Sequence, residues 1–259
     1  MKVAVLGCGA IGGAVAHALA AGSVAGADLV GVVHADPVDP PGLPVIGFEE
    51  AIGCSDLVVE CAGQPALRSY GPRVLRAGVD LLVVSTGALV DDELFTSLTE
   101  ADGGKLSLST GAIGGLDMVV AATGMGGLDR ATLTTTKRAV SLIQPWMSEA
   151  EARRLTSARE PIELMRGSAR TIASAFPKSA NVAASLALAV GDWERVEAAV
   201  VADPNAELTS HVITAEGGAG SYRFEVRNHP SAETPTTSGV VPHAVLRAIR
   251  SLAGGTVFR

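Results

Sequence analysis

Gly7, Gly9 and Gly12 stand in the stretch LGCGAIGGAV at the spacing G-x-G-x-x-G. Glycines so spaced can bring backbone N–H groups against a diphosphate. The first allows a tight turn, the second lets the backbone approach, and the third lets a helix pack closely on the preceding strand. That chemistry needs particular elements on either side. KVAVL, before the glycines, is a run of β-branched and aliphatic residues suited to a buried strand. After them, in IGGAVAHALAAG, Ile11, Val15 and Leu19 recur at helical spacing and Gly22 can act as the stop. In a chain with 30 glycines the same spacing also arises as a plain flexible turn. Strand, turn and helix together favour a dinucleotide cradle made by Gly7, Gly9, Ala10, Ile11 and Gly12, with the helix N-terminus supplying donors and partial positive charge.

The βα rhythm continues through the first hundred residues. DLVGVV (28–33) reads as a second strand, PVDPPGLPVIG (37–47) as a proline-stiffened loop and SDLVVECAG (55–63) as a third strand. VDLLVVSTGAL (79–89) is a fourth strand, followed by the acidic helix start DDELFTSL, and KLSLSTGAIGGLD (105–117) is a fifth. Nearly continuous apolar strands alternating with helices predict a parallel sheet covered on both faces. The turns ECAGQP, VSTGAL and LSTGAIGG each place a small or hydroxyl residue before a glycine, at the strand ends where open α/β sheets bind ligands. Ala62, Gly63, Ser85, Thr86, Ser109, Thr110 and Ala112 are therefore candidates for ligand contact; the alternative is that the glycines simply end strands. The second strand ends VVHADP. Asp36 there could hold a ribose 2′-hydroxyl, favouring NAD, whereas His34 tolerates a 2′-phosphate, so NAD and NADP both remain open.

At 259 residues, 47% hydrophobic and 18% charged, the chain can bury a sizeable core, either as one large domain or, the favoured reading, as two unequal ones. A net charge of −7 without a basic run argues against nucleic acid as a partner, and means that an anionic ligand needs local positive groups. No run of 18 apolar residues and no signal-peptide pattern is found, so the expectation is a cytoplasmic protein without a membrane partner. Cys8, Cys54 and Cys61 show neither C-x-x-C spacing nor a histidine at ligand spacing, and read as small buried residues; no metal is expected.

After about residue 115 the pattern changes. DRATLTTTKR (129–138), RVEAAVVAD (195–203), LTSHVITAE (208–216) and GSYRFEVRN (220–228) alternate, which predicts a sheet with one packed and one open face. Helices are expected at 168–176 and 181–191, and a last amphipathic helix carries Val240, Val241, Val245, Leu246 and Ile249, with Pro242 in its first turn.

GCGAIGGAVAHAL, STGAL, STGAIGGLD, GSARTIASAFPKSANVAASLALA, ADPNAELTSHVI and NHPSAETPTTS resemble the successive signature blocks of the L-aspartate dehydrogenase family, in order from residue 5 to about 238. The resemblance implies a Rossmann dinucleotide-binding domain over 1–110, rejoined by a C-terminal helix within 233–259, and an α+β substrate and dimerisation domain over 111–232. It further implies a homodimer that oxidises L-aspartate, an acidic amino acid, to iminosuccinate with NAD or NADP; the imine hydrolyses to oxaloacetate and ammonia. The family's catalytic histidine falls on His211, which by its alternating segment alone is equally a surface histidine. Histidine suits proton transfer because its ordinary pKa lies near neutrality.

For the substrate carboxylates the chain offers Lys178 just ahead of a helix and Asn181 as its possible cap, or else a solvated lysine and an ordinary cap; Thr110 lies on the turn that follows the fifth strand. Asp117 reads as a cap of the next helix. Two departures from the family bear on aspartate specificity. TPTTS places Thr236 where a lysine is usual, and Leu164 and Met165 stand where an aromatic residue is usual. The alternatives are a related amino-acid dehydrogenase or imine reductase, and a dinucleotide-binding sensor without turnover. A sensor has no use for His211, Lys178 and Asn181 together.

Overall fold

In KVAVL no side chain after Lys2 can turn toward water profitably, and Val3, Ala4, Val5 and Leu6 are all buried. The computed structural model describes residues 1–34, 42–177, 180–231, 234 and 237–255. Met1–Gly111 together with Val241–Arg259 form one compact unit and Ala112–Val240 the other.

The first unit alternates strand and helix. In order these are β1 (Lys2–Leu6), α1 (Ala10–Ala20), β2 (Asp28–Val33), α2 (Phe48–Cys54), β3 (Leu57–Glu60), α3 (Gln64–Arg76), β4 (Asp80–Val83), α4 (Asp92–Thr99) and β5 (Leu106–Leu108). The strands form one sheet, order β2-β1-β3-β4-β5, with every pairing parallel. The chain runs from β1 to β2 on one side, then crosses to β3 on the other, so the order in which strands are added reverses between β1 and β3 while all stay parallel. α1 buries Gly12, Val15, Ala16 and Leu19, and Gly22 follows its end at φ +69°. The acidic start of α4 is capped by Asp91, whose carboxylate accepts from the Leu94 N–H at 3.2 Å; that bond, with Arg68 nearby, holds the Asp91 pKa below its usual value.

The second unit comprises α5 (Leu116–Gly124), β6 (Arg130–Arg138), α6 (Glu149–Thr156), β7 (Ile162–Ser168), α7 (Ala169–Ala175), α8 (Ala180–Val190), β8 (Val196–Asp203), β9 (Thr209–Gly217) and β10 (Gly220–Asn228). Its sheet has the order β10-β9-β6-β8-β7; β6 and β8 are parallel and the other pairs antiparallel. The predicted alternation is present. On β6, Ala131, Leu133, Thr135 and Lys137 point to the buried face, as do His211, Ile213 and Ala215 on β9. There α8 packs on both α5 and α7, with α7 and α8 against the sheet, around Phe176, Leu142 and Leu186. The chain then returns to the first unit as α9 (Val241–Leu252), which packs on α1 through Val241, Val245 and Ile249, with Pro242 in its first turn.

Several local expectations differ from the structure. β7 was not anticipated: Gly167 and a register shift between Glu163 and Met165 break its alternation. Leu164 and Met165 are half-buried against the core. Asp117 lies in the first turn of α5, whose N-cap is Gly115. Asn181 is the second residue of α8 rather than its cap. Cys54 is exposed, while Cys8 and Cys61 are partly buried, and all three are free thiols. Val240 is 42% exposed and precedes α9.

Phe176 is fully buried and meets Trp146 edge-on at 5.7 Å between ring centroids. Phe176→Ala should destabilise the protein by about 3–5 kcal/mol through lost burial and a residual cavity, read as a lower urea midpoint.

Candidate active site

The glycine turn is built from contacts that leave three positions no freedom of the same kind. Gly7 has φ +96°, and a Cβ on it would stand 2.7 Å from the Ala62 Cα. A Cβ on Gly12 would stand 2.0 Å from the Gly7 carbonyl oxygen, so helix and turn touch backbone to backbone. At Gly9 a Cβ would meet no protein atom within 4 Å, and its φ of −77° is open to any residue. Nothing among the described residues requires glycine there. Gly13 is the first N–H of α1 to bond inside the helix, at 2.8 Å to the Gly9 carbonyl, so the N–H groups of Ala10, Ile11 and Gly12 precede the ladder. The turn itself borders a groove of about 530 Å³ lined by Gly7, Cys8, Gly9, Val33, His34, Cys61, Ala62 and Tyr70 among others. The residues fit a dinucleotide, its diphosphate on the start of α1.

Glu60, the last residue of β3, is fully buried. Its Oε1 accepts from the Ala62 N–H, the Gly63 N–H and the Ser85 hydroxyl, each at 2.9 Å, and its Oε2 from the Ser85 N–H at 3.0 Å. Burial raises the carboxyl's pKa, and the bonds from Ser85, Gly63 and Ala62 oppose that rise. Three expected ligand residues, Ala62, Gly63 and Ser85, are thus joined through one carboxylate. Sequence reasoning missed Glu60, although an acid closing the apolar run LVV of a buried strand was a visible signal.

In the second unit His211 is 2% exposed, and its Nδ1 lies 3.0 Å from the Thr135 hydroxyl on the neighbouring strand. Lys137, two residues further along the same face of β6, is also buried. Burial draws the Lys137 pKa down to about 8. Burial first, and then the Lys137 charge, draw that of His211 down to about 3. The expected titration of His211 near neutrality is therefore not what this site provides: the ring is neutral across the ordinary pH range, and Lys137 is the group that titrates near it. Lys137 was missed because TTTKR reads as a strand with a solvated charge, and only the register of the sheet turns it inward.

The remaining candidates divide between the units. His34 follows β2 at the groove. Thr86 is buried and opens a single 3₁₀ turn, Thr86–Val90, after Ser85. Ser109 is buried and accepts from the Gly111 N–H at 3.2 Å, with Thr110 between them half-exposed. Ala112 is held by its carbonyl, which accepts from the Asn228 side-chain amide at 2.8 Å. Asp36, Lys178 and Thr236 lie outside the described residues. A second groove, about 630 Å³, is lined by Arg138, Ser141, Asn205, Glu207 and Thr209 among others; His211 and Lys137 are not part of its lining. Among the described residues no His, Cys, Asp and Glu cluster suits a metal, and no helix is long and apolar enough to cross a membrane.

Residues 117–252 match the family model described as aspartate dehydrogenase, C-terminal, and residues 7–104 that described as homoserine dehydrogenase, NAD binding domain. An L-aspartate dehydrogenase from Methanosarcina mazei is 35% identical over 97% of this chain and 96% of its own. One from Ruegeria pomeroyi is 40% identical over 75% of this chain and 71% of its own. The crystal structure of aspartate dehydrogenase from Thermotoga maritima, 22% identical, superposes with a TM-score of 0.73 over 97% of this chain and 96% of that one, which establishes the common fold. The chain belongs to the L-aspartate dehydrogenase family.

Proposed function

We propose that the chain oxidises L-aspartate at Cα with NAD or NADP, giving iminosuccinate, which water converts to oxaloacetate and ammonia. Besides family membership, one observation carries this reading: a buried His211 is paired with Thr135 beside a buried cation, Lys137, on one face of a sheet. A dinucleotide sensor has no use for such a group. When bound, the nicotinamide supplies the acceptor for the Cα hydride. As the hydride leaves with its electron pair, the nitrogen lone pair forms the C=N bond. The amine must therefore be unprotonated, and the oxidation as a whole releases one proton to a base.

In this reading His211 is that base. Its Nδ1 is engaged with Thr135, which orients the ring and leaves Nε2 for the substrate. The ring's low pKa belongs to the protein without substrate; a dianion entering beside His211 and Lys137 favours their charged forms and raises both pKa values. Lys137 answers a substrate carboxylate, with Lys178, Asn181 and Thr110 as further substrate contacts. Gly7, Gly9, Ala10, Ile11, Gly12, His34, Asp36, Ala62, Gly63, Ser85, Thr86 and Ala112 serve the cofactor. A homodimer belongs to the same proposal, supported by the exposed apolar side chains of Met118 and Val120 on α5 and of Met125 just after it. A cytoplasmic location is supported by three free thiols.

Because a side chain at position 9 meets no protein atom, Gly9→Val should fold normally and lose NADH binding by titration calorimetry; undiminished affinity would remove the cradle from the mechanism. His211→Ala should lower kcat about 10²- to 10⁴-fold with NADH binding retained, in steady-state kinetics on the folded variant. The third expectation concerns charge. Lys137 is a cation below its pKa of about 8 and loses that charge above it. Inhibition by succinate, a dicarboxylate without an amine, should therefore weaken as pH rises past about 8 in the wild type, and show no such break in Lys137→Met.

A further inference from the structure

A dinucleotide with its diphosphate on the start of α1 places its adenosine ribose at the end of β2. In the order β2-β1-β3-β4-β5 the ends of β3 and β4 lie on the opposite side of β1 from β2. The nicotinamide half therefore falls toward the loops that follow β3 and β4. Those are the loops joined through Glu60, by Ala62 and Gly63 from one and Ser85 from the other.

All four bonds to Glu60 come from donors. Three of them are backbone N–H groups, which can only donate, and together with the Ser85 hydroxyl they favour the anion against the burial that raises the carboxyl's pKa. Buried in the sheet, that charge is poorly screened by solvent. It already reaches the groove: burial and then the Glu60 charge raise the pKa of the groove residue Cys61 well above the usual thiol range. Oxidised and reduced cofactors carry the same phosphates and differ by one positive charge on the nicotinamide ring. A fixed anion on that side distinguishes them, whereas a loop strut without charge does not.

We infer that Glu60 is a specificity-determining residue for the redox state of the cofactor, its buried carboxylate favouring the oxidised, cationic nicotinamide over the neutral reduced one. The inference rests on the dinucleotide reading of the Gly7–Gly12 turn. It adds a role for a residue that the proposed reaction does not otherwise use.

The test is titration calorimetry of the whole protein with NAD⁺ and with NADH, reading the ratio of the two Kd values. Glu60→Gln keeps the shape and removes the charge, and should raise Kd(NAD⁺)/Kd(NADH) about fivefold or more. Glu60→Asp keeps the charge and should leave the ratio within about twofold of wild type, even if both affinities fall. Equal weakening of both nucleotides in Glu60→Gln would overturn the inference and reduce Glu60 to a strut. Should Glu60→Gln not fold, Ser85→Ala removes a bond that holds the Glu60 pKa down, and its ratio should rise as pH is lowered, at a higher pH than in the wild type. A ratio flat with pH in Ser85→Ala would overturn the inference as well. If the wild type binds neither nucleotide, the dinucleotide reading itself fails, an outcome separate from all of these.

Discussion

A carboxylate inside a parallel sheet is tolerated only where donors replace the water it has lost, and the first unit is arranged around one such replacement. Glu60 ends β3 and collects four hydrogen bonds from the two loops beyond the sheet. Leaving such a group unanswered would cost several kcal/mol, so the loops cannot drift from it cheaply. Ala62, fixed through its N–H, has its Cα where a side chain on Gly7 would stand, which is why the glycine turn closes so tightly on the neighbouring loop. The groove thus inherits its shape from a polar contact beneath it as much as from the glycines that face it.

The second unit solves the opposite problem of charge. The chain carries a net −7, so a dicarboxylate approaches against the overall field and must be met by local cations. Lys137 is such a cation, built into the packed face of the sheet beside His211. Burial lowers both pKa values, and the lysine's charge lowers that of the histidine further, so the imidazole is held neutral and the lysine stands near its titration point. An anion placed there restores what burial removed. In the proposed reading, binding and proton affinity are thus coupled by the same electrostatics.

Much of the architecture was written in periodicities. Apolar runs at 2–6, 28–33, 57–60 and 80–83 became parallel strands, and the alternating segments from 130 onward became the mixed sheet, because a strand buried on both faces cannot alternate and a strand buried on one face must. The glycine spacing located the tight turn, since the reasons for Gly7 and Gly12 are local: a left-handed backbone and a helix pressed on a turn. Local rules were less informative where two principles competed. Gly167 and a register shift concealed β7, and Asn181 proved to lie inside the first turn of α8 rather than at its cap.

What the tertiary structure alone decided is which polar residues are inside. Nothing in TTTKR says that its lysine is buried; that follows from the pairing of Thr135 with His211, which puts residues 135 and 137 on the packed face. The neutrality of His211 is likewise a property of its surroundings rather than of its residue type. Glu60 shows the same division, because its donors come from residues 2, 3 and 25 positions away and only the folded sheet brings Ser85 to it. Sequence by itself determined the two kinds of sheet, the tight glycine turn and the family. Burial and register determined the charge states, because desolvation and the distance to a neighbouring charge exist only once strands from separate parts of the chain have met.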